Sequence, residues 1–488
     1  MTKVKEQDHA LFDSYFHPKT IAIVGATDSP FSGGSGFLNA LISSKFPKDS
    51  IFPINNHKTE LLGIPTYPTL SAVPVPIDYV IIAVPKKYIL EVIKECVQIG
   101  IKVGTIFTSG FTEIGDTMLE KQLVEVAREG TMRLIGPNCI GLYVPKERVT
   151  FIVNLPVGEE NAGPLGVISQ SGGLADMFSF MGHYRGVKFS KVVSFGNGCD
   201  LHCPDFLEYF EHDPETEMIF IYLEGFKNQV QGQRFHQIAS RVIKQKPIIF
   251  WKGGKSEAGR GAIFSHTGSL SGNNEVLECL TKQIGLVDVS NPEEVIDTLT
   301  AFYHLKERLP IGRRLAVIGG GGGNTVATSD TLTKAGFELP ENPKRIQEEI
   351  IKIIGEVGVI VRNPIDLNVS IWDGKKLREI IAIMGALDNI DLLIFDAGID
   401  WGLNFERAFG LKNIIEPTFK SVLLLLKKIK ENLPVAAVLP TVFYESEIVN
   451  KKMEFERMVQ ELGIPVFQNM SRCAFALNRL VQYGERFR

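Results

Sequence analysis

The chain has 488 residues, 44% of them hydrophobic and 22% charged, with a formal net charge of −4. That length allows about three domains of roughly 150 residues, each able to bury a core. The slight negative charge excludes nucleic-acid binding driven by bulk charge. Residues Met1 to Thr20 lack the apolar core of a secretory signal, and the longest apolar run, Val422 to Leu426, is too short to span a bilayer. Six cysteines in so long a chain point to reduced thiols in a cytoplasm rather than a disulfide framework.

Short β-branched runs alternate with longer amphipathic segments, the α/β pattern. In the first block the expected strands are Thr20–Val24, Ile51–Ile54, Tyr79–Val84, Val103–Phe107 and Arg133–Ile135, with a helix over Lys87–Ile99. They predict a doubly wound parallel sheet ending near residue 150. Pro156–Pro164 reads as a linker. A second block has strands Leu165–Ser169, Lys191–Ser194, Met218–Leu223 and Pro247–Phe250, and ends near the helix Pro292–Phe302. A third opens after Pro310 with strand Arg314–Ile318 and continues through Ile390–Phe395 and Val435–Leu439.

Strand Thr20–Val24 runs into Gly25-Ala26-Thr27 and then Ser32-Gly33-Gly34-Ser35-Gly36. A glycine-rich turn between strand and helix offers backbone amides and a positive helix end to phosphate. Thr27 stands where the second glycine of the dinucleotide fingerprint belongs. An NAD site would want an acid after the second strand; Asn55 and Lys58 offer an amide and a cation, better suited to an extra phosphate. Ala83-Val84-Pro85 and Thr108-Ser109-Gly110-Phe111 follow the next strands, at the carboxyl ends where such sheets bind ligands. Each of these is also compatible with an ordinary tight turn.

In the second block, strand Leu165–Ser169 leads into Gln170-Ser171-Gly172-Gly173 and a helix. Ser169 stands where a nucleophile elbow needs glycine, so an anion site at a helix start is the better reading, with a plain serine cap as the alternative. Glu224 directly follows a strand. A carboxylate there can hold one imidazole nitrogen and leave the other free to attack. Gly253-Gly254-Lys255-Ser256 fails as a Walker A loop because Ile249 occupies its first glycine position. His266 lies in Phe264-Ser265-His266-Thr267-Gly268-Ser269-Leu270, flanked by Gly259, Gly261, Gly268 and Gly272. Histidine, with an ordinary pKa of about 6.5, is largely neutral and nucleophilic near pH 7, and a glycine-flanked loop suits a group that visits two sites. Cys199-Asp200-Leu201-His202-Cys203 matches no common zinc spacing, and no metal is expected.

With these motifs in order, the chain resembles the α subunit of the nucleoside-diphosphate-forming acyl-CoA synthetases. That group includes ADP-forming acetate–CoA ligase and is related to succinyl-CoA synthetase. The matching stretches are Gly25-Ala26-Thr27, Gly136-Pro137-Asn138-Cys139, Ser169 to Gly173, Ser194-Phe195-Gly196-Asn197, Tyr222 to Gly225, Ser265 to Gly272 and Asn363-Pro364-Ile365-Asp366-Leu367. They run through nearly the whole chain.

The resemblance implies three successive Rossmann- or flavodoxin-like parallel-sheet domains. Residues 1–150 would bind coenzyme A, through Gly25, Ala26, Thr27, Ser32, Asn55, Lys58, Val84, Pro85, Ser109, Gly110 and Asn138. Residues 151–305 would form the ligase domain. There His266 becomes phosphohistidine with Glu224 orienting it, and Ser171, Gly172, Gly173 and Gly268 hold the phosphate. Residues 306–488 would form a third, flavodoxin-like ligase-CoA domain, in which Gly319–Gly323 offers a further candidate anion site. The implied activity is an ADP-forming acid–CoA ligase acting on a small carboxylic acid. ADP or ATP and Mg2+ would sit on an ATP-grasp β subunit in a heterotetramer or similar complex, because the three blocks leave no length for that module. Two other classes compete: a non-catalytic CoA-sensing module, disfavoured by the joint presence of His266 and Glu224, and an NAD-dependent oxidoreductase, disfavoured by the broken fingerprint.

Overall fold

Strand β1 (Ile21–Val24) is Ile-Ala-Ile-Val and is buried at every position, which a strand achieves when helices cover both faces of its sheet. The computed structural model describes residues 11–261, 274–310, 312–411 and 414–487. In it, β1 lies between β2 (Ile51–Ile54) and β5 (Tyr79–Ile82), and the sheet continues to β6 (Val103–Ile106) and β7 (Arg133–Ile135), all parallel. The short strands β3 (Glu60–Leu61) and β4 (Ile64–Pro65) make a separate antiparallel hairpin. Ser32 caps the first helix, Gly33–Ser43, by accepting from Ser35 N. Asp116 does the same for Thr117–Glu129 through Leu119 N. Both follow the preference of short polar side chains for helix starts.

The second sheet has the order β13-β12-β11-β9-β10-β8. Its centre is β9 (Ala162–Ser169) and β11 (Met218–Leu223), the latter Met-Ile-Phe-Ile-Tyr-Leu and wholly buried. Parallel partners are β10 (Phe189–Ser194), β12 (Ile248–Lys252) and β13 (Val287–Val289). The outer strand β8 (Gly141–Tyr143) runs antiparallel to β10, pairing Gly141 with Ser194 and Tyr143 with Val192. It lies before residue 150 in sequence yet joins the second sheet. β9 begins inside the stretch that reads as a linker, because Gly163 is bare enough for Lys188 to approach.

The third sheet is β15-β14-β16-β17-β18, all parallel: β14 (Leu315–Gly319), β15 (Ile365–Asp366), β16 (Leu392–Asp396), β17 (Val435–Val438) and β18 (Val466–Phe467). Three mostly parallel sheets with intervening helices make this an α/β protein. By contacts the chain divides into two compact units. One holds the described residues up to His183 and those from Val187 to Ser290, and so both of the first two sheets; the other holds Tyr184–Gly186 with the described residues from Asn291 on. The helix Pro292–Leu305 falls in the second of these. No helix among the described residues is long and apolar enough to cross a membrane.

Within the second sheet, Lys191 is fully buried on β10. Its ammonium bonds Asp213 at 2.9 Å and Glu215 at 2.6 Å, and lies 5.8 Å from the Tyr209 ring centre. Burial works against the Glu215 carboxylate, but hydrogen bonds from Lys146 and Lys191 hold its pKa down at about 2. Removing one partner of a buried ion pair strands the other. Lys191→Met should therefore destabilise this unit by about 3–5 kcal/mol, read as a fall in denaturation midpoint. The ion pair's contribution is complete above the ordinary carboxylate pKa and fades as the pH drops toward 2. The gap between variant and wild type should accordingly narrow between pH 5 and 3; a gap independent of pH would rule this account out.

Candidate functional site

The carboxyl ends of the first and second sheets open onto one cavity of about 560 Å³. Val84 and Pro85 follow β5, Thr108 and Ser109 follow β6, and Asn138 to Ile140 follow β7. From the second sheet come Gln170 to Gly173 after β9, Gly196 after β10 and Glu224 after β11. The two sets of loops meet at backbone distance. A Cβ on Gly196, whose φ is +54°, would stand 2.3 Å from the carbonyl oxygens of both Pro137 and Asn138.

The helix Gly172–Tyr184 points its start into this cavity. Ser171 Oγ accepts from Leu174 N at 3.4 Å, as a cap does. The first amides of a helix have no intrahelical acceptor and carry the positive end of its dipole. Here they belong to Gly172 and Gly173, both cavity-lining. A Cβ on Gly173 would meet nothing within 4 Å. Packing therefore does not demand glycine at that position, and its bareness leaves open space at the helix start.

Glu224 is 4% exposed. Gln170 orients it: Oε1 accepts from Glu224 N at 2.8 Å and from Gly225 N at 3.3 Å, while Gln170 N donates to Tyr222 O. Tyr222 Oη donates to Glu224 Oε1 at 3.3 Å, and burial pushes the phenol pKa well up, so it stays a donor. On the neighbouring strand Lys252 pairs with Leu223 and is buried. Burial pulls its ammonium down to about 8, opposed by the charge of Glu224. In the sequence, Gln170 is read only as part of its turn, with no role given to it, and Lys252 is not singled out. Their signals were polar residues directly after or ending strands that are otherwise apolar, Leu165–Ser169 and Ile248–Lys252.

His266 and Gly268 lie outside the described residues. Of the other expected site residues, the cavity brings together Val84, Pro85, Ser109, Asn138, Ser171, Gly172, Gly173 and Glu224. It does not include Gly25, Ala26, Thr27, Ser32, Asn55, Lys58 or Gly110 among its lining. Those after β1 and β2 bond one another. Asn55 Nδ2 donates to Ala26 O at 2.8 Å, and its Oδ1 accepts from His57 N and Lys58 N. Lys58 Nζ sits 2.5 Å from an Asp28 oxygen. Thr27 Oγ1 accepts from Ser29 N, and Ser32 caps its helix. Gly25 has φ +88° and lets Gly34 pack on its carbonyl, where a Cβ on Gly34 would be 2.0 Å away.

Two sequence features resolve differently. Asp200 accepts from Arg133 Nε at 2.7 Å and Leu134 N at 3.0 Å, and His202 is buried against Phe195, its imidazole pKa pulled down to about 3 by burial. In the third sheet, Gly321 N donates to Asp366 Oδ1 at 2.6 Å, and Asn324 binds Asp396. Within the candidate anion loop Gly319–Gly323, the Gly321 amide is thus already bonded to the chain's own Asp366.

A family model described as a CoA binding domain matches residues 19–145, and one described as a succinyl-CoA ligase like flavodoxin domain matches 162–302. The α subunit of acetate–CoA ligase [ADP-forming] II from Pyrococcus furiosus is 30% identical over 97% of this chain and 98% of its own. The chain belongs to the family of the ADP-forming acetate–CoA ligase α subunits. Acetate–CoA ligase [ADP-forming] II of Archaeoglobus fulgidus is 31% identical over 96% of this chain, which covers 67% of that longer protein. Among solved structures, dinucleotide forming acetyl-coenzyme A synthetase 1 of Ca. Korarchaeum cryptofilum, in complex with phosphate and ADP, superposes with a TM-score of 0.80 at 30% identity, over 97% of both chains.

The open space at Gly173 separates binding from packing. Gly173→Ala should fold with a melting temperature equal to or slightly above wild type, since alanine in a compatible position gains about 0.4–1 kcal/mol. Its affinity for inorganic phosphate, measured by equilibrium dialysis, should fall. Undiminished phosphate binding would mean the helix start is not an anion site.

Proposed function

We propose that this chain is the catalytic α subunit of an ADP-forming acid–CoA ligase. It would interconvert acyl-CoA, ADP and phosphate with acid, CoA and ATP, passing through an acyl phosphate and a phosphohistidine at His266. The observation that carries this reading is the shared cavity. Loops of the sheet that matches a CoA-binding domain face the helix start Ser171-Gly172-Gly173 and Glu224 across it.

In this reading residues 1–150 bind CoA, 151–305 carry the phosphoryl chemistry and 306–488 form the third domain. The thioester end of acyl-CoA enters between Val84, Ser109 and Asn138. Phosphate held at the Gly172 and Gly173 amides attacks the acyl carbon, and the thiolate leaves as CoA. His266 then takes the phosphoryl group from the acyl phosphate, which breaks the phosphorus–oxygen bond and frees the carboxylate. A histidine suits this step because it is nucleophilic toward phosphorus and later a good leaving group. Glu224, fixed by Gln170, holds the imidazole in the tautomer that presents its free nitrogen. Ala26, Thr27, Asn55 and Lys58 remain candidate contacts for the nucleotide end of CoA, where an incoming phosphate would exchange with Asp28 for Lys58.

The final transfer to ADP needs a second polypeptide. The "subunit alpha" in the name of the Pyrococcus relative and the extra length of the Archaeoglobus protein support a partner or fused module. We assign it the ATP-grasp fold and the Mg2+, and the complex a cytoplasmic location, in keeping with six cysteines that are all free thiols.

Radiolabelled phosphate supplied with acyl-CoA should place acid-labile, base-stable label on this chain. The label should vanish in His266→Ala; label persisting there would sink the assignment. Glu224→Ala should slow labelling by about 10²–10⁴-fold, the usual worth of a well-placed acid–base partner, with the fold intact by circular dichroism.

A further inference from the structure

The amphipathic helix Thr117–Glu129 buries Glu120, Leu123 and Ala127 on one face. Positions i, i+3 and i+7 share a helix face, and the first of them is a carboxylate where an aliphatic side chain would fit. Glu120 is 5% exposed. Buried carboxylates are retained where they are paired and hydrogen-bonded, and this one is bonded on both oxygens. Oε1 accepts from Thr112 N at 3.2 Å and from Asn197 Nδ2 at 2.8 Å; Oε2 accepts from Lys227 Nζ at 3.1 Å.

Each partner stands on a different loop of the cavity rim. Thr112 continues the loop that follows β6, whose Ser109 lines the cavity. Asn197 follows Gly196 on the loop after β10. Lys227 lies three residues beyond Glu224 on the loop after β11. Asn197 extends the tie: its amide also donates to Glu113 Oε2 at 2.6 Å, its Oδ1 receives Asn138 Nδ2 at 3.5 Å, and its own N–H binds Pro137 O at 3.0 Å. Glu120 itself is not among the cavity-lining residues.

We propose that Glu120 is a positioning residue, a buried clamp that fixes the loops after β6, β10 and β11 in the arrangement that receives the thiol end of CoA. This rests on the reading of the cavity as the CoA site. The burial that would favour a neutral carboxyl is outweighed by Lys227 and the hydrogen-bond donors, which keep the Glu120 pKa below its ordinary value. The clamp is therefore a charged one, and an isosteric neutral residue should loosen it without emptying the space.

Calorimetry of CoA binding to the full chain, with melting temperatures measured alongside, tests the clamp. Glu120→Gln should weaken CoA binding by about ten- to a hundredfold, the scale on which small misplacements of site groups act. Leu123→Ala, one turn along the same face, should lower the melting temperature and leave CoA affinity at the wild-type value. Lys227→Met, on a half-buried side chain, should weaken binding in the same direction, and the double variant with Glu120→Gln should be no weaker than Glu120→Gln alone, because both remove one ion pair. Wild-type affinity in Glu120→Gln, or an equal loss in Leu123→Ala, would overturn the clamp. A wild-type chain that gives no heat with CoA would overturn the CoA reading and the clamp with it, so the two failures are told apart by the wild-type titration.

Discussion

The site depends on two loops lying closer than side chains permit. The chain after β10 runs beside the chain around β7 and bonds it in succession: Asn197 N to Pro137 O, Cys199 N to Gly136 O, and Leu201 N to Leu134 O, at 2.8–3.1 Å. The glycine at 196 makes the contact possible, since any Cβ there would strike two carbonyl oxygens. Backbone bonds of this kind are short and directional. They bring the carboxyl ends of two separate parallel sheets to face one cavity, where open α/β sheets present their ligand-binding loops.

Around that seam, charge is handled in two ways. Deep in the second sheet, Lys191 meets two carboxylates and serves stability alone. Near the cavity, Glu120 meets a lysine, an asparagine and a backbone amide that all belong to rim loops. The first arrangement bears on the stability of the sheet; the second, in our proposal, bears on the shape of the rim. Gln170 does for Glu224 what Glu120 does for the rim, using an amide instead of a charge. Lys252, held costly and buried beside Glu224, adds positive potential on the side where the proposed phosphoryl group is handled.

Much of this architecture was legible in the sequence. Runs such as Ile21–Val24 and Met218–Leu223 are uniformly apolar because they are covered on both faces, and their type and order could be read directly. The expected strand Tyr79–Val84 runs two residues past the end of β5, as Ala83 and Val84 are apolar loop residues that line the cavity. Gly141–Tyr143 escaped because three residues have no period, and its partner is supplied by a strand made later. Of the candidate site, the positions after strand ends were visible, since Glu224 follows an apolar run immediately and Gly172 and Gly173 stand in the short polar turn after another. The structure also shows that Asn55 and Lys58, which read as ligand donors, are bonded to Ala26 and Asp28. No local pattern reports which distant carboxylate a lysine will find. Glu120 was hidden for the same reason: in a helix with Glu125 and Glu129 close by, only its tertiary partners distinguish it from a solvated face.

The strand Gly141–Tyr143 has a consequence for how the molecule comes into being. It follows the last strand of the first sheet, yet its hydrogen-bonding partner, Phe189–Ser194, has not yet been synthesised when it leaves the ribosome. Synthesis at about 5–20 residues per second leaves its edge waiting for seconds. The first sheet can close meanwhile, but its trailing end is committed to the next one. The two sheets are thus joined during birth as well as in the finished fold. A gene cut between them near residue 150 would carry away part of the neighbour, whereas a cut before Gly141 would leave that strand with the sheet it joins.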